Sequence, residues 1–205
     1  MSGRFVTLEG GEGVGKSTQA QALAAALRGR GLDVVATREP GGSPGAEAIR
    51  RLLLHEGQWP PPAEALLFAA ARADHVASTI RPALAAGRWV LSDRFLDSSI
   101  AYQGGAGGLG FDAIRRLHAF GSGGLLPDRT LLLRLDDAAA AGRARRRDAA
   151  GADLIGGRGA GYHGAVRAAF DRLAAEEPDR IRVVDGSGAA ATVTERLLAA
   201  LEDLL

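Results

Sequence analysis

The sequence of 205 residues contains no cysteine and no asparagine, and only one of its 25 basic residues is a lysine. The absence of cysteine excludes disulfides, a thiolate nucleophile and cysteine-ligated zinc, and with them a disulfide-bonded secreted scaffold. No apolar run approaches the ~18 residues that would indicate a membrane span. The formal net charge is +1, so no overall electric field favours binding to nucleic acid or to a membrane.

Length and composition favour one globular domain. The chain is 46% hydrophobic, which is enough to bury a full core, and 205 residues suit one domain better than two. A strand-like segment begins at residue 4 or 5 and leaves no room for a signal peptide. We therefore predict a single domain over residues 1–205 in a cytoplasmic protein that binds neither nucleic acid nor membrane.

A glycine-rich loop follows the first apolar run and precedes a helix-like segment. It matches G-x-x-x-x-G-K-[ST], whose glycines let backbone N–H groups approach phosphate oxygens. We predict that Lys16 reaches the β- and γ-phosphates of a nucleoside triphosphate and that the Ser17 hydroxyl ligates Mg²⁺. The only lysine of the chain stands at this position, although arginine supplies every other basic side chain. The predicted triphosphate contacts are Gly10, Gly11, Glu12, Gly13, Val14, Gly15, Lys16, Ser17 and Thr18.

The rest of the chain alternates strand-like and helix-like segments. Further strands are predicted at residues 32–37, 89–91, 130–135 and 181–184, and helical periodicity occupies most of the sequence between them. Pro82 predicts a kink or break near Thr79. The pattern predicts an α/β fold of the P-loop NTPase type, a three-layer doubly wound sheet of about five parallel strands flanked by helices. A polar, glycine-rich stretch within residues 143–162 predicts a flexible lid.

Two arginines follow predicted strands at the sheet edge where the phosphate loop opens. Arg38 ends the second predicted strand and Arg94 follows the third. Carboxyl ends of parallel strands form the ligand-binding edge, so both side chains are candidates for holding a second phosphate. The alternative for each is an ordinary surface ion pair.

An aromatic residue and an arginine lie four positions apart in a predicted helix. Phe68 and Arg72 share one helix face, where they would stack on a base and hydrogen-bond to its edge. The alternative places Phe68 in the core and Arg72 in water. A basic cluster over residues 143–147 is either a solvated helix face or a cover for the transferring phosphoryl group.

Several blocks of the sequence together resemble one family. They are Leu8 through Gly10, Gly15 through Gln19, Thr37 through Gly42, Leu67 through Arg72 with His75, Ser92 through Phe95, Ser98 and Ser99, Ala101 through Gly104, and Leu126 through Asp128. In order and spacing these blocks are similar to those of thymidylate (dTMP) kinases, and they span most of the chain. The resemblance implies ATP-dependent phosphorylation of dTMP to dTDP, with Mg²⁺, by a homodimer.

The resemblance also implies roles in binding the thymidine part of dTMP. Phe68 would stack on thymine, Arg72 would hydrogen-bond to its edge and Ser99 would contact the ring. Tyr102 would pack against the deoxyribose and help to reject a 2′-hydroxyl, with Gln103 beside it.

Further roles implied by the resemblance concern the phosphates. Arg38 and Arg94 would hold the dTMP phosphate, and Glu12 would contact the sugar 3′-hydroxyl. Glu9 and Asp93 would lie near the metal and the phosphates, so the implied metal ligands, direct or through water, are these two carboxylates and Ser17.

The catalytic arginines are expected in the lid. A residue other than arginine, Gly13, follows the acidic residue of the phosphate loop, as in the bacterial subclass that supplies these arginines from the lid. Arg145 and Arg147 are the candidates for these lid arginines. The full set of predicted catalytic residues is Lys16, Arg94, Arg145, Arg147 and Glu12. The usual Asp-Arg-x-Glu pattern of the lid appears here in residues 153–156 without its arginine and its glutamate.

Three other functions remain open at this level. One is a different small nucleotide or deoxynucleoside kinase; a nucleoside kinase would not need Arg38 or Arg94 to hold an acceptor phosphate. Another is a P-loop switch without kinase turnover, but the common guanine-binding motif Asn-Lys-x-Asp cannot occur because the chain lacks asparagine. The third is a kinase-like protein that binds dTMP without turning it over.

Overall fold

The structure is a computed structural model that describes residues 3–148, 154 and 156–205, without the side chains of residues 137 and 144–148. The described part of the chain contains five strands, all of them parallel and in the spatial order β2-β3-β1-β4-β5. The strands are β1 Phe5–Glu9, β2 Val34–Arg38, β3 Trp89–Asp93, β4 Arg129–Arg134 and β5 Ile181–Asp185.

The burial of each strand follows its place in the sheet. All five residues of β1 and five of the six in β4 are buried, because inner strands of a parallel sheet have helices on both faces. The edge strands β2 and β5 mix buried and exposed residues. Continuous apolar runs such as 131–133 therefore predict inner strands.

Helices cover both faces of this sheet. They are α1 Lys16–Gly29, α2 Pro44–His55, α3 Pro61–His75, α4 Arg81–Ala85, α5 Leu96–Ser99, α6 Phe111–Ser122, α7 Asp137–Asp148, α8 Ala160–Glu176 and α9 Ala190–Ala199. Leu23 and Leu27 of α1 and Leu197 of α9 belong to the core on one face. Ile114 of α6 and Leu173 of α8 belong to the core on the other. The predicted three-layer P-loop NTPase fold is confirmed. Within the part of the chain that the structure describes, no helix is long and apolar enough to cross a membrane.

Two helical segments of the π type replace regular helix or loop. Val76–Ile80 joins α3 to α4, which confirms the break predicted near Thr79. Ile100–Ala106 continues α5 through residues 104–106, whereas the glycines among residues 104–110 predict a flexible loop from the sequence. That expectation is wrong because the glycines allow close packing: a Cβ on Gly105 would lie 2.7 Å from the Cβ of Ala169 in α8. The periodicity of the sequence predicts a helix over residues 165–177, whereas α8 begins earlier, at Ala160.

The sheet order brings the predicted ligand-binding segments to one edge. Strand β1 lies between β3 and β4, and the chain connections run in opposite directions on its two sides. The phosphate loop leaves β1 at this switch point, where doubly wound sheets open a crevice for ligands. Arg38 and Asp93 are paired in register at the carboxyl ends of β2 and β3, so the ends of these two strands lie at the same sheet edge as the phosphate loop.

Candidate active site

The phosphate loop is shaped by its glycines. Gly10, Gly13 and Gly15 have φ angles of 137°, 76° and 96°, in the left-handed region that side chains disfavour. A Cβ on Gly10 would also lie 2.5 Å from the carbonyl oxygen of Leu133 in the adjacent strand. Helix α1 begins directly after the loop without a side-chain cap on its first turn. Its first N–H groups and the positive end of its dipole are therefore available to an anion.

Lys16 lies within the loop that precedes it. Its ammonium group donates hydrogen bonds to the carbonyl oxygens of Gly10, at 3.0 Å, and Gly11, at 2.7 Å. The side chain is buried, and this burial, together with the nearby Arg94 guanidinium, lowers the pKa of Lys16 to about 8. An ammonium with so little water around it gains strongly from a phosphate partner.

Ser17 and Asp93 form a pair suited to a hard cation. The Ser17 hydroxyl donates to Asp93 Oδ2 at 2.6 Å. Asp93 Oδ1 is buried and has no hydrogen-bond partner among the described residues. Magnesium prefers such oxygen ligands, usually one or two from the protein and the rest from water and phosphate. The residues present therefore fit Mg²⁺.

Glu9 ends β1 but holds a neighbouring segment of the protein. One carboxylate oxygen accepts hydrogen bonds from the backbone N–H groups of Phe95, at 2.7 Å, and Ser98, at 3.2 Å. The other accepts from the Ser98 hydroxyl at 2.6 Å. Burial, with a contribution from Asp97, raises the pKa of Glu9 to about 7. Glu9 thus anchors the turn that carries Arg94, and both of its oxygens are engaged there.

Arg94 connects the phosphate loop with the opposite wall. It is the one non-glycine residue with a positive φ, 72°, among the residues that the structure describes. Its guanidinium forms an ion pair with Glu12 and donates to the Ser98 hydroxyl at 3.0 Å. It also lies over the Tyr102 ring, 5.0 Å from the centroid. Tyr102 in turn donates from its hydroxyl to Glu12 Oε1 at 3.0 Å.

Arg72 is buried in the wall of the site, with 3% of its surface exposed. It donates from Nε to Glu39 Oε2 at 2.8 Å and from Nη2 to the Ser99 hydroxyl at 2.8 Å. The alternative that placed Arg72 in water is wrong, because a carboxylate 33 positions away in the sequence compensates its charge. Phe68, one turn earlier on α3, is half-buried and lines the same space.

The Arg-Glu-Pro-Gly-Gly block supports this arginine. Glu39 Oε1 lies 3.0 Å from His75 Nδ1, and His75 Nε2 lies 2.8 Å from the Thr37 hydroxyl. Gly42 passes so close that a Cβ there would lie 2.4 Å from His75 Nε2. The block therefore fixes the Glu39 carboxylate through His75, in addition to delivering Arg38 to the sheet edge.

Arg38 lines the space beside the loop and also forms the surface ion pair that the sequence left open as its alternative role. The partner in this ion pair is Glu47, at 2.9 Å, and 55% of the Arg38 side chain is exposed. Glu47 is itself held by the backbone N–H of Gly42 at 3.0 Å. The ion pair thus keeps the Arg38 guanidinium near the mouth of the site.

Gln103 presents an unpartnered oxygen. Its Nε2 donates to Glu64 Oε1 at 2.9 Å, whereas its Oε1 is buried without a hydrogen-bond partner among the described residues. Gln103 has 3% of its surface exposed and lines the same space as Phe68, Arg72 and Ser99. The wall thus contains an unpartnered acceptor in the same cleft as the donors of Arg72.

One cleft of about 620 Å³ runs from the phosphate loop to Arg72, and its lining includes Glu12, Lys16, Ser17, Arg38, Phe68, Asp93, Arg94, Ser99, Tyr102 and Gln103. Arg143, of the basic cluster considered from sequence, is among the lining residues; sequence reasoning missed Arg50, Gly186, Gly188, Ala190 and Val193. The glycines follow β5 at the same sheet edge as the phosphate loop, which is the signal that would have found them. The side chains of Arg145 and Arg147 lie outside the described residues.

A glycine-rich loop with a buried lysine, at the switch point of a parallel sheet, defines a P-loop nucleotide-binding protein, and arginines facing it across the cleft are typical of nucleotide kinases. Comparisons with known proteins narrow this class. The family model for thymidylate kinase matches residues 8–197. The chain belongs to the thymidylate kinase family.

Individual relatives agree with the family match. A thymidylate kinase of Rhizorhabdus wittichii is 65% identical, with full coverage of both chains. A thymidylate kinase of Afipia carboxidovorans is 50% identical over 95% of this chain and 87% of its own length. A crystal structure of thymidylate kinase from Ehrlichia chaffeensis matches with a TM-score of 0.79 at 29% identity, over 98% of this chain and 99% of that one.

Proposed function

We propose that this protein transfers the γ-phosphoryl group of ATP to dTMP, giving ADP and dTDP. Membership of the thymidylate kinase family supports the reaction. The observation that carries it is the single cleft that joins the lysine of the phosphate loop to the buried Arg72 and Gln103. Such a cleft has one end suited to a triphosphate and another suited to a base.

The donor end is formed by the loop from Gly10 to Thr18, with Lys16 at the β- and γ-phosphates. Arg143 and the segment from Gly186 to Val193 line the same end, and we assign them to the adenosine part of ATP. Ser17 and Asp93 would hold Mg²⁺, which supplies positive charge to the phosphate oxygens when bound. Glu9 contributes by holding the turn of Arg94, since both of its oxygens are engaged there.

The acceptor phosphate is assigned to Arg94 and Arg38, whose planar guanidinium groups can each bind two phosphate oxygens. Glu12 is assigned to the sugar 3′-hydroxyl, because its ion pair with Arg94 places it at the junction of the two substrates. Tyr102, held by Glu12, would pack against the deoxyribose and leave no room for a 2′-hydroxyl.

The base is assigned to Phe68, Arg72, Ser99 and Gln103. Phe68 offers an apolar face for stacking. The Nη1 group of Arg72 makes no hydrogen bond within the described part of the chain, so it is available to a 4-oxo oxygen. The orphan oxygen of Gln103 would accept from the adjacent N3–H. Thymine presents this acceptor and donor pair, whereas cytosine presents the reverse.

Transfer needs no covalent enzyme intermediate. An oxygen of the dTMP phosphate attacks the γ-phosphorus in line as the bond to the β-γ bridging oxygen breaks and ADP leaves. Lys16 stabilises the charge that spreads over the phosphoryl oxygens, and Arg94 positions the attacking phosphate. We assign the remaining cationic role to Arg145 and Arg147 of α7.

A homodimer is proposed through the outer faces of α3 and α6. These helices pack together, and a Cβ on Gly121 of α6 would lie 3.5 Å from the Cβ of Ala73 in α3. They carry the exposed apolar side chains of Leu66, 56% exposed, and Phe120, 95% exposed. Exposed apolar surface of this kind favours association. Sedimentation of Phe120→Glu should give a monomer; an unchanged dimer would place the interface elsewhere. The cytoplasmic location stays a prediction from the sequence.

The deciding experiment measures ADP release with ATP, Mg²⁺ and a panel of acceptors: dTMP, dUMP, dCMP, dAMP, dGMP and thymidine. We expect preference for dTMP. Equal or greater turnover of thymidine, unaffected by Arg94→Ala, would identify a nucleoside kinase instead. Inactivity with every acceptor, with dTMP binding retained, would identify a protein that binds dTMP without transfer.

A further inference from the structure

An ion pair between Arg158, in the connection between α7 and α8, and Glu64 of α3 lies beside Gln103 of the cleft wall. Arg158 precedes α8, forms an ion pair with Glu64 of α3 and donates from Nη1 to Glu64 Oε1 at 3.3 Å. Nη1 also donates to the Tyr162 hydroxyl at 2.6 Å, and the guanidinium lies 4.7 Å from the centre of the Tyr162 ring. The Glu64 side chain is 8% exposed and that of Arg158 is 29% exposed, so the pair is largely shielded from water.

The same carboxylate orients the amide of Gln103. Glu64 Oε1 accepts from Gln103 Nε2 at 2.9 Å. A carboxylate ion can only accept hydrogen bonds, so the amide must turn its NH₂ group toward Glu64. Its oxygen then points away from Glu64; it is buried without a partner among the described residues, and Gln103 is one of the residues that line the cleft. The reversed amide would turn its oxygen toward the Glu64 carboxylate, acceptor against acceptor, and its NH₂ group away from Glu64.

A second contact ties the same stretch of chain to α8. The Tyr162 hydroxyl donates to the carbonyl oxygen of Tyr102 at 3.0 Å. Arg158 and Tyr162 therefore hold residues 102 and 103 at two points, the backbone at one and the amide, through Glu64, at the other. The hydrogen bonds of Arg158 to Tyr162 and of Gln103 to the Glu64 carboxylate are charge-assisted, which makes them stronger than neutral ones.

We propose that Arg158 and Glu64 are positioning residues for acceptor-base selection: they hold the Gln103 amide with its oxygen toward the base. This inference rests on the proposed function and extends it to the choice among pyrimidines. The fixed oxygen complements the N3–H of a 4-oxo pyrimidine and repels the unprotonated N3 of a 4-amino pyrimidine. Neither Arg158 nor Glu64 needs to touch the substrate.

Kinetics with dTMP and dCMP at saturating ATP test this inference. Glu64→Gln keeps the shape but replaces an acceptor-only group with one that also donates, so the Gln103 amide can adopt either orientation. We expect Glu64→Gln and Arg158→Ala to raise KM for dTMP about tenfold and to lower the dTMP to dCMP ratio of kcat/KM about tenfold. KM for ATP and kcat for dTMP should change less than about twofold.

Matched variants separate positioning from other roles. Arg158→Lys should recover part of the lost ratio. In the Gln103→Ala background, Arg158→Ala should add less than about twofold, since the residue through which it acts is gone. Arg88→Ala removes an exposed ion pair with Asp33 at the opposite end of β3 and should change neither KM nor the ratio. Melting temperatures of all variants show which of them are folded.

Two results would overturn the inference while leaving the proposed function intact. One is a fall in kcat on Arg158→Ala with KM for dTMP and the dTMP to dCMP ratio unchanged, which would make Arg158 a catalytic residue. The other is full additivity of Arg158→Ala and Gln103→Ala. A wild-type protein that phosphorylates no nucleoside monophosphate would instead contradict the proposed function.

Discussion

The phosphate loop and the wall opposite it are built in different ways. The loop is one contiguous segment whose shape follows from glycines such as Gly10 and whose ligand donors are backbone N–H groups. The wall collects side chains from five separate parts of the chain, namely the end of β2, helix α3, the turn after β3, helix α5 and the π-helical segment Ile100–Ala106. A donor site can thus be written into a few adjacent residues, whereas an acceptor site depends on the whole fold.

The two regions also differ in how their charges are compensated. Among the described residues, Lys16 donates hydrogen bonds to carbonyl oxygens only, and we propose that a phosphate is its charged partner. Arg72 is already paired with Glu39, which His75 holds in turn. Breaking such a buried pair by removing one partner is costly, because it leaves the other charge uncompensated. We therefore expect changes in the loop to affect chemistry and changes in the wall to affect recognition and stability together.

The largest effect is expected for the loop. Lys16→Ala removes the ammonium that we assign to the transferring phosphoryl group and should lower kcat with dTMP on the order of 10²-fold or more. The fold should persist, because burial already disfavours the Lys16 charge. Steady-state ADP release measures the effect, with Arg30→Ala at the exposed end of α1 as the control. An undiminished rate in Lys16→Ala would contradict the mechanism.

The next effect tests the contact between the two regions. Arg94→Ala should lower kcat/KM for dTMP by about 10²-fold, because the acceptor phosphate loses a charged partner, while KM for ATP changes little. Alanine also carries a Cβ, so the backbone at φ 72° is not relieved and the change isolates the guanidinium. A nucleoside kinase would retain its activity on thymidine in this variant. A rise in KM for ATP as large as the effect on dTMP would mean that Arg94 binds the phosphate donor.

The same contrast explains what the sequence predicts. The phosphate loop and the parallel α/β sheet follow from local motifs and from hydrophobic patterning. The position of Asp93 near Ser17 follows from the geometry of parallel sheets, whose carboxyl ends share one edge. The surroundings of Arg72 do not follow from local motifs. Its partner Glu39 lies 33 positions from it in the sequence, and Glu39 is in turn held by His75, 36 positions from Glu39. Arg158 and Glu64 are 94 positions apart, and no local pattern links them. Such pairings are set by tertiary packing, which a single sequence does not display.

A third prediction concerns the wall alone. Glu39→Gln keeps the shape of the side chain but removes the charge that pairs with Arg72, so we expect KM for dTMP to rise about tenfold. Stability should fall by about 2–3 kcal/mol, measured by urea unfolding, because both side chains are buried. KM for ATP should stay unchanged. The control Asp33→Asn breaks an exposed pair with Arg88 and should cost less than about 1 kcal/mol of unfolding free energy. If it cost as much as Glu39→Gln, burial would not explain the effect of Glu39→Gln.

The smallest effect is a dependence of folding stability on pH that arises from the buried side chain of His118. His118 is buried edge-on against Phe95, with ring centres 5.5 Å apart, and its Nε2 lies 2.7 Å from the carbonyl oxygen of Leu125. Burial, with the nearby Arg72 guanidinium, lowers the pKa of His118 from 6.5 to about 4, against the weaker opposite influence of the Leu125 hydrogen bond and of Glu39 and Asp97. The unfolded chain therefore binds one more proton than the folded protein between these two pH values.

The sign follows from linkage. The contribution of neutral His118 to stability is complete above pH 6.5 and is lost as the pH falls toward 4. His118→Gln keeps a donor for Leu125 but does not titrate, so the wild type should lose about 2 kcal/mol more than the variant between pH 7 and pH 4.5. The difference between the two proteins is the quantity to measure, because Glu9, with its pKa raised by burial to about 7, acts in the opposite direction in both. Parallel stability curves for the two proteins would show that His118 is protonated in the folded state, and the acid sensitivity of the protein would then have to come from another group.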